Sequence, residues 1–109
     1  MNRAATAAIR AAATLDRLGV QPISDPTDRD ALLAWPGWGP LAPALAGVPK
    51  APWDEVADTL TGYLGEAAMT TASRFVDTAF YTPTDLAGRV WELVAASGFT
   101  GGSVLDLGC

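Results

Sequence analysis

Residues 98–109 read Gly-Phe-Thr-Gly-Gly-Ser-Val-Leu-Asp-Leu-Gly-Cys, and they constrain the fold more than any other stretch. Ser103 to Leu107 is an apolar run with one acid, bounded by Gly101-Gly102 on one side and Gly108 on the other. A short continuous apolar run between glycines reads as a buried parallel strand whose carboxyl end opens into a glycine turn. In open α/β sheets a ligand of nucleotide type sits at such a turn. A second glycine and a helix are expected to follow, so the pattern predicts a chain cut within its binding site.

Upstream, the pattern is helical. Residues 3–18 are alanine-rich, with Ile9, Ala12 or Ala13, and Leu15 or Leu18 at helical spacing, and Gly19 as a stop. Asp25 or Thr27 caps a short helix over about 27–35. Trp35-Pro-Gly-Trp-Gly-Pro40 sets two indoles among breakers and excludes regular structure. It is either an aromatic plug of the core or a stacking surface for a base or a partner. A loop rich in proline and alanine is expected over 41–52. Pro52-Trp-Asp-Glu-Val opens a third helix, with Trp53, Val56, Ala57, Leu60 and Leu64 on one face. Glu66 to about Thr78 is a fourth helix, with Met69, Ala72, Phe75 or Val76, and Ala79 inward. Thr82 as N-cap and Pro83 at the first position open a fifth helix, with Asp85 three residues after the cap. Its stripe is Leu86, Val90, Leu93 and Val94, with Trp91 packed beside it, and it stops at Gly98.

Composition narrows the function. The 109 residues are 50% hydrophobic and 17% charged, with a net charge of −5. Residues 1–18 carry Arg3, Arg10 and Arg17 against Asp16; residues 19–80 hold eight acids against three bases. No basic stripe of the kind that dominates nucleic-acid affinity is present, so any DNA binding is expected to lie mostly outside this segment. One cysteine and no histidine argue against an internal disulfide and against a zinc site. With no continuous apolar stretch at the N-terminus, neither a signal peptide nor a membrane span is expected, and the default location is the cytoplasm.

Two segments carry chemistry: Tyr81-Thr-Pro83 and Val104-Leu-Asp-Leu-Gly-Cys109. One helix and a glycine turn join them. A helix of about 15 residues spans about 22 Å, and a strand returning along it brings Thr82 and Asp106 to one edge of a sheet.

A threonine-proline segment, one helix, then V-L-D-x-G-C resembles motif X followed by motif I of the adenine-N6 DNA methyltransferases. These are Rossmann-like α/β enzymes that use S-adenosylmethionine. The alanine-rich first helix, Gly37-Trp38-Gly39 before Leu41, the tryptophan-led helix, Ala79-Phe-Tyr-Thr-Pro83 and Gly98-Phe-x-Gly-Gly102 resemble the N-terminal region of one subgroup. That subgroup is the methyltransferase–helicase proteins of phages and conjugative elements, similar to the phage defence-against-restriction proteins. The resemblance implies a helical region over 1–79, and over 80–109 the first helix and strand of a truncated cofactor domain. It implies that Tyr81, Thr82 and Pro83 line the methionine end of the cofactor. The threonine hydroxyl and the free amides of a helix start suit a carboxylate. Asp106, followed by Leu107, matches the motif I acid and suits the cofactor's amino group or an ordering water. Gly108 matches the first motif glycine, where a bare backbone approaches the ligand. Cys109 matches a variable small position.

Each residue has a plainer reading. Thr82 can be only an N-cap, Asp106 only a strand-end acid satisfied by backbone amides, and Cys109 an inert buried thiol with no histidine to activate it. The chain also departs from the family. Phe80 stands where many relatives have histidine, Pro40 replaces a glycine, and Asp106-Leu107 stands where the subgroup has Glu-Pro. The 109 residues contain no Pro-Pro and one asparagine, Asn2, so the loop that holds a flipped adenine is missing. No catalytic residue is therefore expected here, and weak or no measurable cofactor binding by these 109 residues alone. Three functions follow: the N-terminal part of an adenine-N6 DNA methyltransferase, possessing or lacking a helicase half; a related methyltransferase acting on a small molecule or protein; and a non-enzymatic helical interaction module.

Overall fold

The computed structural model describes residues 2–78 and 82–107. Its first helix, α1 (Arg3–Leu18), starts where Asn2 Oδ1 accepts the Ala5 N–H at 2.8 Å. Gly19 ends it at φ +57°, a left-handed conformation that glycine adopts without a Cβ clash, and donates its N–H to Leu15 O at 3.0 Å. Ala5, Ala8, Ala11 and Ala12 form the buried face, closed at the C-terminal end by Leu18. The helix is therefore seated by its small residues. Ile9 is half-buried, and Leu15 faces outward.

Helix α2 (Pro26–Leu33) is capped by Asp25, which accepts the Thr27 N–H at 2.7 Å. It is tied to α1 by an ion pair between Arg17 and Asp28. The Asp28 hydrogen bond, and then its charge, raise the Arg17 pKa above the ordinary arginine value. Helix α3 (Trp53–Leu64) and α4 (Glu66–Phe75) meet at a single residue, Gly65. At φ +84° Gly65 donates to Thr61 O and accepts from the Met69 N–H, so it closes one helix and opens the next.

A 3-10 helix, Gly39–Leu45, starts within the turn expected to exclude regular structure and runs into the stretch expected as a loop over 41–52. Pro40 and Pro43 fix φ near the value a 3-10 turn needs, and the Leu41 N–H reaches Trp38 O at 2.9 Å. The turn drives Leu41 into the centre of the core, where it and Leu60 are the largest side chains with 0% exposure. Around them lie Ala5, Ala8, Ala12, Ala44 and Val56, flanked by Trp35, Trp38 and Trp53. Helix α1 packs on α2 and α3, and α3 on α4 and the 3-10 turn.

The expected start of a Rossmann-like sheet is overturned. Among the described residues there is no strand. Residues 99–106 have no regular structure, and Val104, Leu105 and Leu107 are 64%, 81% and 91% exposed. A strand is held by its neighbour's N–H and C=O groups. No described segment offers that ladder, so no strand forms here. The expected sheet edge bringing Thr82 and Asp106 together therefore does not form.

Helix α5 (Thr84–Ala96) forms within two residues of the expected bounds but buries none of its residues. Leu86, Val90 and Leu93 are exposed, as is Trp91, which was expected in the core and instead tilts against Phe99 with ring centroids 6.1 Å apart. Phe75 also faces outward, leaving Val76 half-buried in its place. The molecule is accordingly extended, with a radius of gyration of 16.0 Å, against about 13 Å for a compact chain of this length.

The Asn2 cap gives a direct test of the α1 start. Asn2→Ala removes the acceptor for the Ala5 amide and is expected to lower stability by about 1 kcal/mol in urea titration followed by helical circular dichroism. An unchanged midpoint would show that α1 starts without this bond.

Candidate functional site

Trp35 and Trp38 settle into a T-shaped pair, centroids 4.9 Å apart and planes at 79°, and both pack against the core. The aromatic turn thus plugs the bundle. Trp35 also lines two clefts. One, about 310 Å³, is mostly apolar, lined by Ala11, Ala12, Leu15, Leu32, Trp35, Trp38 and Leu64. The other, about 540 Å³, lies between the end of α2 with its Trp35-Pro36 exit and the start of α5, from which Thr82, Pro83, Thr84 and Ala87 line it.

Local sequence explains how α5 presents Thr82. Pro83 occupies the N-cap position with an extended backbone, φ −55° and ψ 140°. Its carbonyl accepts the first intrahelical bond, from the Ala87 N–H at 2.9 Å. Helix α5 therefore begins at Thr84, one residue later than the Thr82 cap implied, and no side chain caps it. Thr82 lies one residue too far out to cap the first-turn amides, and its exposed side chain stands beside the cleft.

Of the candidate cofactor residues, Thr82 and Pro83 line the larger cleft. Asp106 and Leu107 are exposed and are not among its lining residues. Tyr81, Gly108 and Cys109 lie outside the described residues, as do Ala79 and Phe80. On the opposite wall, Trp35 and Pro36 belong to the turn that the sequence offered as either a core plug or a stacking surface; what the sequence reading missed is Leu32 to Ala34 and that this wall faces Thr82. The only signal for it was the Trp-Pro break, and nothing in that break indicates which later segment it will face.

Among the described residues that line the larger cleft, none carries an ionisable side chain. Its chemistry is two threonine hydroxyls, the backbone of a helix start and an indole, which suits binding and offers no general acid, base or nucleophile. Among the described residues no group of histidine, cysteine, aspartate or glutamate is clustered to hold a metal ion. No described helix is long and apolar enough to cross a membrane. Compared with known proteins, the chain matches no family model, no curated protein and no solved structure.

Proposed function

We propose that this chain is the N-terminal part of an S-adenosylmethionine-dependent DNA methyltransferase acting on adenine N6, in a protein of the methyltransferase–helicase type. The observation that carries the reading is the order Thr82-Pro83, one helix of 13 residues, then Val104-Leu-Asp-Leu-Gly-Cys109. The cleft beside Thr82 fits the group: about 540 Å³ lies within the usual range of about 300–1,000 Å³ for small-molecule sites. Its Thr82 hydroxyl is not used in capping α5.

In this reading Tyr81, Thr82 and Pro83 hold the methionine end of the cofactor. A hydroxyl and first-turn amides suit its carboxylate. Asp106 and Gly108 enter this reading through the motif resemblance alone, as the acid for the cofactor's amino group or an ordering water and as the first motif glycine; Asp106 is not among the residues lining the Thr82 cleft. The bound cofactor supplies a sulfonium methyl group. The residues that hold DNA and the adenine belong to other parts of the protein, since these 109 residues have no Pro-Pro loop.

Expression of the whole reading frame in a host lacking adenine methylation tests this. N6-methyladenine at a defined DNA motif is expected, and its loss in the Asp106→Ala form. Unmethylated DNA from a protein that still takes up labelled cofactor would shift the acceptor to a protein or small molecule. A helical interaction module is the second reading, favoured by the exposed apolar stripe of α5. It requires that S-adenosylmethionine leave the protein's spectrum unchanged.

A further inference from the structure

The helical region and the Thr82 segment share one cavity, and the residues at its two sides differ in chemistry. On the α5 side stand Thr82 and Thr84, small and hydroxyl-bearing; on the bundle side stand Trp35 and Pro36, flat and apolar. Trp35 is braced from behind by Trp38 and by the core, so its ring is fixed before any ligand arrives. A fixed indole offers contact area at little entropic cost and favours a flat ring as its neighbour. The described lining residues carry no charged side chain, which suits a neutral ring joined to a short polar arm.

From this arrangement we infer that Trp35 and Pro36 are ligand-binding residues, and that they take the heteroaromatic ring of a nucleoside-type ligand whose polar end lies toward Thr82 and Thr84. The inference rests on the proposed reading of the Thr82 segment and adds the helical region to the site. The region is then a wall of the binding site as well as a lead-in to it. Because only one wall is braced in the core while the other belongs to a helix that buries none of its residues, affinity in this chain is expected to be weak, about 1 mM.

Two-dimensional ¹H–¹⁵N spectra of the chain read both walls at once. The four indole N–H signals are assigned with single Trp→Phe variants, and the probe is S-adenosylmethionine at millimolar concentration, followed by adenosine. With S-adenosylmethionine, the Trp35 indole and the Thr84 and Ala87 amides are expected to shift along one saturation curve, while the Trp53 and Trp91 indoles stay in place. Adenosine is expected to move Trp35 alone. If S-adenosylmethionine shifts Thr84 and Ala87 but leaves Trp35 still, the inference fails and the methyl-donor reading stands. If neither probe shifts either wall, the inference fails, and the methyl-donor reading is decided by the DNA methylation of the whole reading frame.

Discussion

Leu60→Ala is expected to destabilise the protein by about 3 kcal/mol, within the range measured when a buried leucine is truncated without full collapse of the site. Leu60 has 0% exposure and sits between α1, the 3-10 turn and α3. The other fully buried large side chain, Leu41, cannot move in to fill the space, because Pro40 and Pro43 fix the turn that carries it. Domain stabilities are about 5–15 kcal/mol, so such a loss raises the unfolded fraction by about 100-fold. Urea denaturation of wild type and variant measures it. Leu93→Ala on α5 is the control: Leu93 is 72% exposed, and its truncation is expected to stay within about 0.5 kcal/mol. Equal losses at the two positions would mean that α5 is packed as firmly as α3.

Ala8→Leu tests the core from the opposite direction. Ala8 has 0% exposure on the face of α1 that meets the Leu41–Leu60 cluster. Alanine and leucine differ little in helix propensity, so the effect reports packing. Three added carbons must displace a neighbouring helix or take a strained rotamer, which costs about 1–3 kcal/mol. For a domain of this size that is a fall of about 10 °C in Tm. A Tm at or above wild type would show a void behind Ala8 that the close-packed face does not contain.

The helices were legible because most of them carry local end signals. Asp25, Pro52 with the acids that follow Trp53, and Gly19 are such signals, satisfied by bonds within four residues, whereas α2 and α4 end at Leu33 and Phe75, short of the expected 35 and 78. The apolar stripe of α3 was legible for the same reason, since it is a property of one helix. Three features were not. The 3-10 turn hides in a proline-rich segment because proline suits both a loop and a 3-10 helix, and only burial of Leu41 decides between them. The buried face of α1 is made of alanines, which carry little hydropathy signal beside Ile9 and Leu15. The run Val104–Leu107 has the composition of a strand, yet composition cannot supply a partner ladder, and none is present among the described residues. The candidate site was half legible on the same principle. Thr82 and Pro83 declare themselves by sequence, whereas the pairing of Trp35 and Pro36 with them is a contact between segments far apart in the chain, which local pattern does not encode.

The alanine face of α1 has a thermodynamic consequence. Seven of the eleven buried hydrophobic residues among those described are alanines. Each forfeits almost no rotamer entropy on folding but also hides little hydrocarbon from water. Unfolding such a core hydrates little new apolar surface, and that surface is what sets the heat capacity of unfolding. The stability curve of this bundle is therefore shallow. Its melting is gradual, and its resistance to cold is greater than that of a leucine-filled core of equal stability.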